Sequence, residues 1–253
     1  MQPSPIKNKK MPGQKTSGQT TLGQKTPVKK PPAKKTRAKK TPAKKNKPSN
    51  QWMREHVNDP FVQLAQKQGY RSRAAYKLLE IDAKDHLLKP GTVVVDLGAT
   101  PGGWSQVAAA KVGRSGAVIA LDLLPLEGVP GVDFILGDFR EAAVLQQLKN
   151  VLQGRAVGLV ISDMAPNISG VASTDQARAM HLAELAMEFA LEHLRPEGSF
   201  LVKVFQGAGF EDFLKLMKSR FAKVATRKPK ASRDRSSELY LLATAKLEQS
   251  GES

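Results

Sequence analysis

The chain has 253 residues, with 40 Lys and Arg, 23 Asp and Glu, and no Cys. Without Cys there is no disulfide framework, no thiolate zinc site and no Cys nucleophile, and no metal centre is expected. No apolar run reaches the roughly 18 residues of a spanning helix, and the amino terminus lacks the apolar stretch of a secretory leader, so neither membrane insertion nor export is expected.

Taken in chain order, the first segment is a basic arm. Residues 1–50 hold fourteen Lys, Arg37 and no acid, together +15, and eight of the sixteen Pro. The rest of the chain has 25 basic residues against 23 acidic ones and is nearly neutral. The arm carries a degenerate repeat: Gly13-Gln14-Lys15-Thr16 returns as Gly23-Gln24-Lys25-Thr26, and Ala33-Lys34-Lys35-Thr36 as Ala38-Lys39-Lys40-Thr41. Such a segment buries too little apolar area to offset its ordering entropy, so a disordered Lys/Pro-rich tail is expected over 1–50. It reads as a solubilising spacer or as a polyanion tether that releases counterions on binding phosphates.

The body, 51–253, reads as one α/β domain. Ser72 to Asp85 predicts a flanking helix. Thr92 to Leu97 is a β-branched run, suited to a buried parallel strand, and Gly102-Gly103 open a helix running to about Val112. Strands are predicted at Gly116–Asp122, Val132–Leu136, Val157–Asp163 and Ser199–Phe205. Helices are predicted at Arg140–Leu152, Asp175–Leu194, with Pro196-Glu197-Gly198 stopping it, and Gly209–Arg220. Ala222–Arg227 and Glu238–Thr244 close the series as strands. This alternation argues a doubly wound sheet.

Ligands of open α/β sheets sit outside the carboxyl ends of the strands. Here four strands end in, or lead into, an acid: Asp96, Asp122, Asp138 and Asp163. Gly98 to Gly103 form a glycine turn at the first of them, spaced G-x-x-x-G-G rather than as a dinucleotide fingerprint, with no phosphate-cradling G-K-[ST]. Asp122 follows the turn by about 20 residues, where an acid accepts from ribose hydroxyls; a capping role is the alternative. Asp138 is a candidate for an adenine amino group or for a helix cap. A glycine turn plus a ribose acid, without a pyrophosphate site, suits S-adenosyl-L-methionine better than a nicotinamide dinucleotide. Lys203 lies inside the apolar run Phe200–Phe205. A Lys buried there needs a partner, and Asp163 on the neighbouring strand is the candidate.

Several motifs in register carry a resemblance: Ser72-Arg73-Ala74 with Lys77-Leu78, Val95-Asp96-Leu97-Gly98-Ala99 through Pro101-Gly102-Gly103-Trp104-Ser105-Gln106, Asp163-Met164-Ala165-Pro166-Asn167, Val202-Lys203-Val204-Phe205-Gln206-Gly207, and Arg235-Ser236-Ser237-Glu238-Leu239-Tyr240. From about Gln51 to Leu247 the chain resembles the FtsJ/RrmJ family of ribosomal RNA large-subunit 2′-O-ribose methyltransferases. The resemblance implies a Rossmann-like class I methyltransferase fold, a mostly parallel seven-stranded sheet with a final antiparallel strand. It implies S-adenosyl-L-methionine as cofactor and a uridine of 23S ribosomal RNA, or of the large ribosomal subunit, as substrate. It implies a catalytic tetrad at Lys77, Asp163, Lys203 and Glu238, and donor contacts at Gly98, Gly102, Trp104, Asp122, Asp138 and Asp163. Thr100 departs from the family's usual Ala, and the long arm from its short leader.

Lys203 is expected to orient or deprotonate the ribose hydroxyl, with Lys77 and Glu238 holding the ribose and Lys203. Arg71, Arg73, Arg233 and Arg235 are expected to meet RNA phosphates around the cleft. A monomer in the cytoplasm is expected, although the Lys-rich arm leaves a nuclear or organellar address open. The competing readings are a non-catalytic RNA-binding or assembly factor on the same fold, a ribose methyltransferase of another RNA, and a nicotinamide dehydrogenase.

Overall fold

The computed structural model describes residues 57–233 and 236–247. The basic arm at 1–50 and Arg235 lie outside the described residues.

The described chain opens with a helix that hydropathy patterning does not predict, α1 (Pro60–Gln68). Its signal is at its ends rather than on its faces. Asp59 caps it by accepting from the Phe61 N–H at 3.0 Å, Pro60 occupies the first helical position, and Gly69 ends it in the left-handed conformation. Helix α2 (Ala75–Asp85) begins three residues later than expected, because Ser72 to Ala74 form a turn instead.

From there the elements alternate as anticipated: β1 (Val93–Leu97), α3 (Gly103–Val112), β2 (Ala117–Asp122), β3 (Val132–Leu136), α4 (Ala142–Leu152), β4 (Val157–Ser162), α5 (Ala172–His193), β5 (Leu194–Phe205), α6 (Phe210–Arg220), β6 (Phe221–Arg227) and β7 (Glu238–Lys246). The strands form a seven-stranded sheet ordered β3-β2-β1-β4-β5-β7-β6. Strand β7 enters between β5 and β6 and runs antiparallel to both; the other neighbours are parallel. Every residue of β1 is buried, as its unbroken Val-Val-Val run requires of a central parallel strand.

Strand period two sends alternate residues to opposite faces. Val95 and Leu97 join Met180, Ala183, Met187 and Met217 of α5 and α6 under one face, while Val94, Leu159, Leu201 and Tyr240 pack on Leu78, Trp104 and Ala108 of α2 and α3 under the other. Burying each large apolar side chain contributes roughly 1.5–3 kcal/mol. Strand order reverses between β1 and β4, which fixes the cleft at their carboxyl ends.

Two further boundaries differ from expectation by three residues or more. Helix α5 starts at Ala172, because Asp175 sits in its first turn and accepts from the backbone N–H groups of Ser169 and Gly170. Pro196-Glu197-Gly198 do not make a separate turn after that helix. The backbone passes directly into β5 at Leu194, and these residues bulge out of it, since Val157 pairs with Leu194 but Leu159 pairs with Ser199. Proline cannot donate to a ladder, which favours the excursion.

Candidate active site

Register brings the acids and amines together. Ser162 at the end of β4 pairs with Val202, so Asp163 emerges beside Lys203. Lys203 pairs directly with Tyr240, and Phe205 with Glu238, so β7 presents Glu238 and Tyr240 two residues apart and on one face. Lys77, in the first turn of α2, reaches the same point from across that face. The result is a continuous cluster. Lys203 Nζ donates to the Asp163 carbonyl at 2.5 Å and stands 3.1 Å from its Oδ1. Lys77 Nζ lies 2.8 and 2.9 Å from the two oxygens of Glu238, donates to the Tyr240 hydroxyl at 2.9 Å, and stands 3.8 Å from Asp163 Oδ1. Tyr240 in turn donates to Asp163 Oδ1 at 2.6 Å.

Lys77, Lys203 and Glu238 are 9, 8 and 9 % exposed, so each charge is viable only through its partners. Two ammoniums face two carboxylates, and Tyr240 joins the halves. Burial alone would push the Asp163 carboxyl up, but the Lys203 and Lys77 ammoniums and the Tyr240 hydroxyl bring it below its ordinary value. Burial, followed by the charges of Asp163 and Glu238, pushes the Tyr240 hydroxyl well up, so it remains a donor.

Two further residues support the cluster from the loop between β6 and β7. Ser232 Oγ donates to Glu238 Oε1 at 2.7 Å, and Lys228 Nζ donates to the carbonyls of Ser236 and Glu238, each at 2.6 Å. Sequence reasoning did not single out Tyr240, although its period-two spacing from Glu238 is the signal that places it on the same face. Ser232 has no such signal, because its partner lies across an irregular loop.

The glycine turn lies next to this cluster. Gly98 has φ +72°, and a Cβ there would stand 2.2 Å from Met164 Cγ, the residue that follows Asp163. Gly102 has φ +101° and caps α3 without a side chain, so the leading N–H groups of α3 have no intrahelical acceptor. Asp122 binds the turn to the end of β2: it accepts from the N–H groups of Thr100 and Leu124, both at 2.8 Å. No helix follows Asp122 before β3, which removes the capping alternative. The Thr100 hydroxyl donates to the Leu124 carbonyl at 3.1 Å and is thus used inside the protein. Leu123 and Leu124, directly after Asp122, are 69 and 61 % exposed, an apolar lip that sequence reasoning missed.

Trp104 lies buried, with its indole N–H on the Ala74 carbonyl at 2.8 Å and its ring against Tyr240. Its indole therefore joins α2 to the cluster, and its backbone N–H lies in the first turn of α3. Asp138 does not cap a helix, since α4 begins at Ala142. Both its oxygens meet Arg140, whose hydrogen bonds pull its carboxyl below the ordinary value against the effect of burial.

The arginines expected to meet phosphates have internal work. Arg71 donates to the carbonyls of Pro101, Glu127 and Gly128, locking the glycine turn to the loop after β2. Arg73 pairs with Asp59 and donates to the Ala231 carbonyl, and Arg233 stands 3.8 Å from Asp59. Guanidiniums committed to carbonyls and carboxylates have few donors left for phosphate.

Asp96, beneath the turn, accepts from Ser105 Oγ at 2.6 Å. Burial first, then the charges of Asp163 and Asp122, push its carboxyl up to about 7 against the Ser105 hydrogen bond. Its folded value thus lies above the unfolded value of about 3.9. It contributes stability that is complete below that value and is lost as pH rises through about 7. Asp96→Asn removes this loss, worth roughly 4 kcal/mol. Thermal unfolding between about pH 4 and 8 should show the gap between variant and parent narrowing or reversing in the variant's favour as pH rises. Parallel curves would contradict the assignment.

Comparison with known proteins identifies the family. The model of the FtsJ-like methyltransferase family matches residues 70–246. Ribosomal RNA large subunit methyltransferase E of Dechloromonas aromatica is 67% identical over 196 residues, covering 78% of this chain and 96% of that protein. The protein of the same name from Chromobacterium violaceum is 64% identical over 197 residues, with the same coverage of each chain. A crystal structure of a ribosomal RNA methyltransferase from Plasmodium falciparum superposes with TM-score 0.65 at 30% identity, covering 71% of this chain and 100% of that one. The matched span contains the whole cluster and the glycine turn, and on this ground the chain belongs to the FtsJ-like methyltransferase family.

Proposed function

We propose that the protein transfers a methyl group from S-adenosyl-L-methionine to a ribose 2′-hydroxyl of large-subunit (23S) ribosomal RNA, at a uridine, acting as a monomer in the cytoplasm. The observation that carries this reading is the buried Lys77–Glu238–Tyr240–Asp163–Lys203 cluster, beside a glycine turn at the strand ends. The names of the bacterial relatives support ribosomal RNA as the substrate class. Among the described residues no helix is long and apolar enough to cross a membrane.

The residues present fit such a donor. Uncapped N–H groups at the start of α3 suit a carboxylate, Asp122 keeps lone pairs for a ribose diol, and the exposed Leu123 and Leu124 suit a flat ring. Gly98, Gly102, Trp104 through its backbone, Asp122, Asp138 and Asp163 are the residues we assign to hold it. When bound, S-adenosyl-L-methionine supplies a methyl group activated by its sulfonium.

The chain's own work is to prepare the acceptor. A ribose hydroxyl is a weak nucleophile, so orientation supplies much of the rate, up to roughly 7–11 kcal/mol. The Lys203 nitrogen has three donor directions when charged. Two meet Asp163, and the third is left for the hydroxyl. As an ammonium, Lys203 donates to the hydroxyl oxygen and aims a lone pair at the methyl group while water takes the proton; as a neutral amine, with a free lone pair, it takes the hydroxyl proton itself. Asp163, held ionised, fixes Lys203, and Lys77 with Glu238 braces Asp163 through Tyr240.

The test is to incubate the protein with methyl-labelled donor and large-subunit RNA, free and assembled, and map the product. A 2′-O-methyl mark on a uridine is expected. Label confined to a base, or no label on either form, would overturn the reading.

A further inference from the structure

A second feature lies at the opposite end of the sheet. A cavity of about 260 Å³ opens among the start of β4, the bulge of β5, β6, the end of β7 and the residues after α2. Lys89, Arg195 and Lys223 line it. Among the described residues none of these three side chains has an ion-pair or hydrogen-bond partner. Arg227 and Asp85 also line it, but they neutralise one another through two contacts of 2.6 Å. That leaves Glu197 as the one unpaired carboxylate against three free cations.

Several other cations of the protein are paired instead. Arg71, Arg73, Lys77, Lys203, Arg227 and Lys228 are all committed to oxygens of the chain. Three unpartnered cations sharing one concavity repel each other and are stabilised by an anion. The floor is built for approach: a Cβ at Gly158 would stand 3.1 Å from Thr92 Cγ2 and 3.7 Å from the Arg195 guanidinium carbon. The β5 bulge is what turns Arg195 out of the ladder, since the residues between Leu194 and Ser199 have no partner on β4. The volume is below the roughly 300–1,000 Å³ of pockets for apolar small molecules, and the lining is mostly polar, so a charged group suits it better.

We propose that this cavity is a second phosphate-binding site, taken by the backbone of the substrate RNA away from the modified ribose. The proposal rests on RNA being the substrate. Ser199 in the cavity and Lys203 in the cluster are four residues apart on β5, about 13 Å at 3.3 Å per residue. Phosphates along one strand are spaced by about 3.4 Å of duplex axis, and the path over the surface is longer than the buried strand, so the two ends of the sheet address different phosphates several nucleotides apart. Contacts of this kind set register and affinity without reading sequence. They also favour a large, folded RNA over a short fragment, because a fragment that ends at the target cannot reach both sites.

The test uses the full chain carrying Lys89→Gln, Arg195→Gln and Lys223→Gln together. All three positions are exposed, so the core is spared. Binding of a long large-subunit RNA fragment is followed by anisotropy between about 50 and 200 mM salt. The slope of log affinity against log salt should shrink by about 2–3, and affinity at low salt should fall at least tenfold. Glu197→Gln should shift affinity the other way. Donor binding, and methyl transfer to a short RNA holding the target, should be unchanged in both variants. An unchanged slope and affinity in the triple variant, with its melting temperature preserved, would overturn the site. If the triple variant melts early, an unchanged or weakened affinity in Glu197→Gln overturns it instead. Should the parent bind RNA with this slope yet transfer no methyl group, the proposed activity fails and the site stands.

Discussion

Lys203→Ala is expected to lower the methyl-transfer rate by about two to four orders of magnitude, the usual contribution of a positioned acid–base group. Binding of S-adenosyl-L-methionine is expected to persist, because the glycine turn, Asp122 and the start of α3 make no hydrogen bond to Lys203, and Asp163, the one assigned donor residue that does, is still held by Tyr240. The variant also removes one of the partners of a buried carboxylate. Asp163 keeps the Tyr240 hydroxyl at 2.6 Å and Lys77 at 3.8 Å, so the stability cost should lie below the roughly 3–5 kcal/mol of a wholly orphaned charge. Titration calorimetry with the donor separates loss of chemistry from loss of fold. Lys203→Arg adds a second distinction. A guanidinium orients a hydroxyl but does not accept its proton at working pH. Substantial activity in that variant assigns orientation to Lys203, and loss as deep as in Lys203→Ala assigns proton acceptance. Near-parental transfer by Lys203→Ala would remove Lys203 from the chemistry altogether.

Much of the fold was legible because hydropathy period and punctuation agree. Strands β1 to β4 and helix α3 fall within a residue or so of the sequence reading, since β-branched runs bounded by glycine and acid leave little freedom. The Lys203–Asp163 contact was legible from cost alone: a Lys inside Phe-Leu-Val-Lys-Val-Phe must find a carboxylate, and the neighbouring strand end supplies one. What escaped was tertiary. Helix α1 is written in its caps, Asp59-Pro60 and Gly69, more than in its faces. The bulge of β5 depends on how β4 and β5 pair, which no local pattern encodes. Arg71 and Arg73 looked like free surface charge, yet their partners at Gly128 and Ala231 are 57 and 158 residues away. The cavity lined by Lys89, Arg195 and Lys223 draws on residues from five separate stretches of the chain and forms no motif.

The central claim is that the cluster acts on a ribose oxygen and on nothing else in the nucleotide. That claim is tested most directly by changing one atom of the substrate. Once the methylated nucleotide has been located, the same RNA is made with 2′-deoxyribose at that position. The RNA keeps its base, its phosphates and nearly all its contacts, so binding should change little. The acceptor atom is gone, so methyl incorporation should fall to the level of Lys203→Ala or below. Methylation of the deoxy RNA at the parental rate would contradict the account, because the methyl group would then be bonded to an atom the cluster does not address.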